Sequence, residues 1–254
     1  MTTLPYDFMS FMDPTVQRYL ADVVRCGNYG EMFRILRALL PDQALANYVY
    51  SYSDSLSGLP NYRAFLRDVY RYMKLEKPLV VVSGDVVGLK YANENFGHGS
   101  GDNCIRLGLH VLHRAIFDLH PLGGSYREYG DDIIGLGVIS GGTRHTVCER
   151  VRDYCRAINH VRGNELLIMD DENDVGLELI QRVEALLSVM PIDKGLPFWL
   201  SVGAGYYQLG DYSTGDRSLF NVIDEARKAS KAEKRFLYHH FPFLNARKNG
   251  SNGE

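Results

Sequence analysis

Pro78-Leu79-Val80-Val81-Val82-Ser83-Gly84-Asp85-Val86-Val87-Gly88-Leu89-Lys90 decides the fold class. Its first part, Pro78 to Val82, is a short, wholly apolar strand of the kind that fills a sheet centre covered on both faces. From Ser83 to Lys90 it reads as the loop that leaves the strand, and Asp85 emerges there. A carboxylate at the end of a buried strand needs a partner or a metal, because an unpaired buried charge is costly. Further along, Ser125–Tyr129 and Asp132–Ile139 read as two short strands joined through Gly130-Asp131. That is a tight hairpin with carboxylates at its tip. Two carboxylates from neighbouring strand ends can hold Mg²⁺, which takes a few protein oxygens and completes its shell with substrate phosphates. Taken singly, Gly-Asp at a turn is ordinary turn chemistry.

The elements around these strands are helical. Pro60 opens a helix to about Lys74, with Phe65, Val69 and Tyr72 on one side. Asp102 is expected to head a helix carrying Ile105, Leu109, Leu112 and Ile116 on one stripe. Helices are also expected from about His145 to Val161, Val175 to Met190 and Ser218 to Arg235, with a strand over Pro197–Tyr207. The order predicts an α+β fold, a mostly antiparallel central sheet surrounded by helices. Residues 1–53 read as a small helical leader, a candidate dimerisation or regulatory segment, and 242–254 as a flexible tail.

Composition excludes several classes. Lys and Arg total 28 against 31 Asp and Glu, a formal charge of −3, which argues against a protein that clamps duplex nucleic acid by general positive charge. With 45% hydrophobic and 23% charged residues among 254, the chain is globular, not disordered. Cys26, Cys104, Cys148 and Cys155 form no C-x-x-C pair and read as small buried hydrophobes in a reducing compartment. The N-terminus lacks the basic and apolar regions of a secretory signal, and the longest apolar stretch, Leu79 to Leu89, is too short to span a bilayer. The expectation is a cytoplasmic protein with neither a nucleic-acid nor a membrane partner.

Two further stretches add to the acids. Asn93-Glu-Asn-Phe-Gly97-His98-Gly-Ser-Gly101-Asp102 is a glycine-rich approach to a helix, and Lys228, Lys231, Lys234 and Arg235 gather near the end of the last helix. Such a basic end ordinarily complements the helix dipole. Together with the acids they resemble the GGDEF domain family, the diguanylate cyclases that condense two GTP into cyclic di-GMP. Asp54-Ser-Leu-Ser-Gly-Leu-Pro-Asn61-Tyr-Arg63 resembles the family's D-x-L-T-G-L-x-N-R-R. Asp85 to Asp102 resembles D-x-D/N-x-F/L-K-x-x-N-D-x-x-G-H-x-x-G-D with its spacing kept. Arg127-Glu-Tyr129-Gly130-Asp131-Asp132-Ile133 stands in the place of R-x-G-G-D-E-F. Ser201-Val-Gly-Ala-Gly is similar to S-I-G-V-A, and Asp224 to Arg235 to the helix end A-D-x-A-L-Y-x-A-K-x-x-G-R-N.

The resemblance covers roughly 54–241, including an added segment at 164–196, and it implies a palm-related cyclase domain. It implies that Asp85 and Asp131, with the Val86 carbonyl, hold Mg²⁺ or Mn²⁺, and that Asp132 is a further catalytic acid. Asn93 and Asp102 would read guanine, an amide donating and accepting while a carboxylate accepts from the ring N–H and amino group. Lys90, Lys231 and Arg235, with main-chain N–H groups at Val87, Gly88 and Leu89, would contact phosphates. One GTP per domain implies a homodimer. The alternatives are a catalytically degenerate module that binds GTP or another nucleotide, and a palm-type enzyme making a different cyclic nucleotide. Departures from the pattern are Tyr129 for the first Gly, Val87 for the second acid, Glu94 for Asp, Ile133 for Phe and Tyr62 for Arg. The product-inhibition motif R-x-x-D is absent, with His120 and Gly123 in its place.

Overall fold

The apolar run beginning at Leu79 does not stop at Val82. It continues as β1 (Leu79–Val87), so Asp85 lies inside a strand and the expected loop from Ser83 is corrected. The reason is pairing: β1 has antiparallel neighbours on both sides, from Val80 to Asp85 against one and from Leu79 to Val87 against the other. Every residue of that stretch gains ladder bonds, which outweighs the turn preference of Ser-Gly-Asp. The computed structural model describes residues 51–74, 76–119, 123–138, 144–164, 176–208 and 218–245, together with Arg34 and Ala38. The expected leader therefore lies almost wholly outside the described residues, as does Cys26.

The other elements are α1 (Tyr62–Lys74), α2 (Leu89–Phe96), α3 (His98–Phe117), β2 (Gly123–Tyr129), β3 (Asp132–Gly137), α4 (Arg144–Val161), α5 (Leu177–Val189), β4 (Trp199–Tyr207) and α6 (Leu219–His240). The sheet order is β2-β3-β1-β4 and each neighbouring pair is antiparallel. Counting α2–α3 and α4–α5 as single crossovers, this is the β-α-β-β-α-β plan of ferredoxin-like folds. It bears out the expected α+β class.

The sheet has two covered faces. Val80, Val82, Val86, Ile133, Leu200 and Val202 pack with α3 and α4 in one cluster. Leu79, Val81, Ile134, Leu136, Tyr126 and Tyr207 pack with α1 and α6 in the other. This alternation along β1 is the period-two pattern of a strand. On the second face α6 comes unusually close to β4. A Cβ built on Gly203 would lie 2.3 Å from the Ala226 carbonyl oxygen, and one on Gly205 2.4 Å from that of Val222. Only glycine admits the helix at that height.

The first helix is capped by Asn61 rather than by Pro60 alone. The Asn61 Oδ1 accepts from the backbone N–H groups of Arg63 and Ala64, at 3.0 and 3.2 Å. Cys104, Cys148 and Cys155 are buried and unbridged, as expected. Part of the added segment becomes α5, which lies on α4 and helps wall a cavity of about 320 Å³ with Arg114, Phe117 and Tyr154. Past α6, Pro242–Asn245 forms a 3₁₀ turn with Leu244 buried. The packed domain thus continues beyond the expected start of the tail at 242. None of the described helices is long and apolar enough to cross a membrane.

Candidate functional site

The sheet register assembles the acids. Asp85 of β1 stands opposite Asp132 of β3 and Ser201 of β4. Directly opposed residues project to the same side of an antiparallel pair. Asp85 shares the parity of Leu79 and Val81, so the row Asp132–Asp85–Ser201 faces α6. Ser201 Oγ donates to the Asp85 carbonyl at 3.1 Å, and Ser230 Oγ of α6 donates to the Ser201 carbonyl at 3.1 Å. Beyond Asp85 the ladder with β3 ends while that with β4 runs on to Val87 opposite Trp199. One backbone edge of Val86 and Val87 therefore opens beside the hairpin tip.

Asp131 sits in that tip, after Gly130 in the left-handed region at φ 58°. Arg127 fixes the turn. Its Nε and Nη2 donate to the Gly130 carbonyl at 3.1 and 2.9 Å, and its Nη1 pairs with Asp54 at 2.9 Å. The acid that opens the Asp54–Arg63 motif thus acts through the hairpin, a role the sequence reading did not assign. The strand is bulged between Arg127 and Tyr129, and the Tyr129 side chain is turned outward, 69% exposed. We expect Asp54→Ala to lower stability by about 2 kcal/mol, since it strands a sheltered guanidinium. A chemical-denaturation midpoint unchanged from wild type would refute this.

The cation nearest the acids is Lys234. Its Nζ lies 2.5 Å from Asp85 Oδ1 and 3.9 Å from Asp131 Oδ2. The Asp85 carboxyl is raised to about 6: burial drives it up, the Lys234 hydrogen bond and charge hold part of that back, and Asp131 and Asp132 push it up further. Burial opposes the charge on Lys234, but Asp85 outweighs it, so the lysine pKa is raised and the group stays an ammonium. Lys231 and Arg235, the expected phosphate contacts, lie exposed on α6 to either side of it. The missed signal was available: with Lys231 and Arg235 set on K-x-x-G-R, Lys234 falls on the glycine.

As to a divalent metal, the donors present are hard oxygens of the kind Mg²⁺ takes, and few are required. Among the described residues no group of three or more His, Cys, Asp or Glu side chains converges into a ready cage. The donor chemistry fits, in the form of two carboxylates and an open backbone edge, with an ammonium already on one carboxylate.

Gly88, at φ +75°, turns the chain from β1 into α2. The first N–H groups of a helix have no intrahelical acceptor, so this end is suited to an anion. Here the Gly88 N–H donates to the Tyr238 hydroxyl at 3.4 Å, and Leu244 lies against the Gly88 Cα. Lys90 is exposed and 3.6 Å from Glu94.

The stretch from Asn93 to Asp102 is not a loop, and Asp102 is not a cap. It is the end of α2, a break at Gly97 (φ 90°), and the first turn of α3, which begins at His98. This elbow folds α2 onto α3, so that a Cβ on Gly101 would meet Asn93 Oδ1 at 2.0 Å. The Asn93 amide thereby lies against the residue preceding Asp102, and both expected guanine readers are partly exposed.

The βαββαβ sheet thus carries an acid near the end of a central strand, an acidic hairpin tip beside it and the Asn93–Asp102 elbow on the helices that follow. The comparisons agree: the chain has the GGDEF fold. It is similar to the coiled coil and GGDEF domain of DgcB from Caulobacter crescentus, solved with c-di-GMP, at TM-score 0.50 and 20% identity over 87% of this chain and 95% of that one. It is also similar to the diguanylate cyclase SiaD from Pseudomonas aeruginosa, solved with its activator SiaC, at TM-score 0.51 and 20% identity over 87% of this chain and 73% of that one. No protein-family model and no curated protein matches the sequence.

Proposed function

We propose that this domain binds GTP and that two copies, facing each other, join two GTP into cyclic di-GMP. The observation that carries the reading is the meeting of Asp85, Asp131 and Asp132 at one end of the sheet, with Asn93 on α2, the helix that follows β1 directly. Asn93 and Asp102 select guanine by its donor and acceptor edge. The start of α2, with Lys231 and Arg235, holds the triphosphate, while Asp85 and Asp131 hold Mg²⁺ or Mn²⁺. Such an ion, when bound, stabilises charge on the α-phosphate and acidifies the attacking hydroxyl. In each of two steps the 3′-oxygen of one GTP bonds to the α-phosphorus of the other. The bond to pyrophosphate breaks, and the hydroxyl proton passes to the acid group, where Asp132 is the nearest carboxylate to Asp85 along the row. Because each domain supplies one nucleotide, the reaction requires a homodimer.

A second reading, a domain that holds GTP without turning it over, is favoured by the ammonium on Asp85 and the Tyr238 hydroxyl on Gly88. Incubation with GTP and Mg²⁺ or Mn²⁺, read by mass spectrometry, separates the two. Cyclic di-GMP is the expected product. Saturable GTP binding without product would support the second reading, and a different cyclic product the palm-type alternative.

A further inference from the structure

Lys234 reaches the acids from the C-terminal half of α6, a helix whose height is set by Gly203 and Gly205 and by the Ser201–Ser230 contact. It is no adventitious surface pair. The two partners are 149 residues apart, and their side chains are only 21% and 16% exposed. The Lys234 Nζ also stands 5.9 Å from the Tyr238 ring, which favours a cation at that spot. An ammonium at 2.5 Å from Asp85 Oδ1 stands close to where a divalent ion held by that oxygen at about 2.1 Å would sit. Two cations held that close repel each other in a partly sheltered site, so the ammonium and a divalent ion compete for Asp85.

Building on the metal reading above, we propose that Lys234 is a tethered counter-cation occupying the divalent-metal position between Asp85 and Asp131. The acids are thereby neutralised without metal, and a divalent ion enters only by displacing the ammonium. The lysine stem is flexible enough for the displaced group to turn outward, where phosphate oxygens would receive it. Without a nucleotide there is no such acceptor, so the metal alone binds weakly.

The test is Mn²⁺ binding to the whole chain without nucleotide, followed by electron paramagnetic resonance and calorimetry. Lys234→Gln should bind Mn²⁺ roughly tenfold tighter than wild type or more. Lys234→Arg, which keeps a cation, should stay weak. Adding Asp85→Asn to Lys234→Gln should abolish the gain. Lys234→Met serves the same purpose should the glutamine variant fail to fold, with circular dichroism reporting folding. Measurable but equal affinities in wild type and Lys234→Gln would overturn the lysine's role while leaving the metal site standing. Absence of Mn²⁺ binding from folded wild type and from folded Lys234→Gln and Lys234→Met would overturn the metal reading and this one with it. A gain that survives Asp85→Asn would overturn the assigned position.

Discussion

Gly203→Val is expected to lower the melting temperature by about 10 °C or to prevent accumulation of folded protein. A side chain at 203 meets the Ala226 carbonyl oxygen at 2.3 Å, the Ser230 nitrogen at 2.4 Å and the Ala229 Cβ at 2.5 Å. Two of these are helix backbone, which no rotamer change can move aside. The helix must lift from β4, breaking the Ser201–Ser230 contact and carrying Lys234 away from Asp85. Overpacking of a fixed interface costs on the order of 3 kcal/mol, which for a domain of this size is a shift of about 10 °C. Gly99→Ala is the matched control: nothing lies within 4 Å of its added Cβ, and the position is helical. Its melting temperature should stay level or rise slightly. Similar losses from both substitutions would refute the close-approach account.

Asp131→Ala is expected to cut cyclic di-GMP formation by about a thousandfold while leaving the melting temperature within a degree or two of wild type. Asp131 is half-exposed in a turn, and its separation from Lys234 is 3.9 Å, too long for a strong bond. Little stability rests on it, yet in the proposed reaction it is one of the two carboxylates that hold the metal, worth several kcal/mol of charge stabilisation. Asp85→Ala should differ by losing activity and about 2–3 kcal/mol of stability together, because it strands the sheltered Lys234 ammonium. Product rates with thermal melts for both variants decide the matter. Wild-type turnover by Asp131→Ala would remove that residue from the site.

Much of the fold was open to reading because its signals are local. The apolar run from Leu79, the stripe Ile105–Leu109–Leu112–Ile116 and the Gly130-Asp131 turn each need only neighbours in sequence. Boundaries slipped where a distant partner decided them. The Ser83-Gly84-Asp85 stretch is strand because β3 and β4 flank it, and Asp102 lies inside a helix because α2 and α3 meet at Gly97. At the site, the Asn93-to-Asp102 spacing was legible as a motif, but the contact of Asn93 with Gly101 belongs to the helix crossing.

The sequence by itself determined the α+β class and marked Asp85, Asp131, Asp132 and the Asn93–Asp102 pair as candidates, since alternation, turns and motif spacing are properties of short stretches. Tertiary structure alone decided that Arg127 and Asp54 hold the hairpin tip, and that Lys234 rather than Lys231 or Arg235 meets Asp85. The physical reason is that a side chain's partner across 149 residues depends on how deep a helix sits on a sheet. That depth is set where Gly203 and Gly205 let α6 come down.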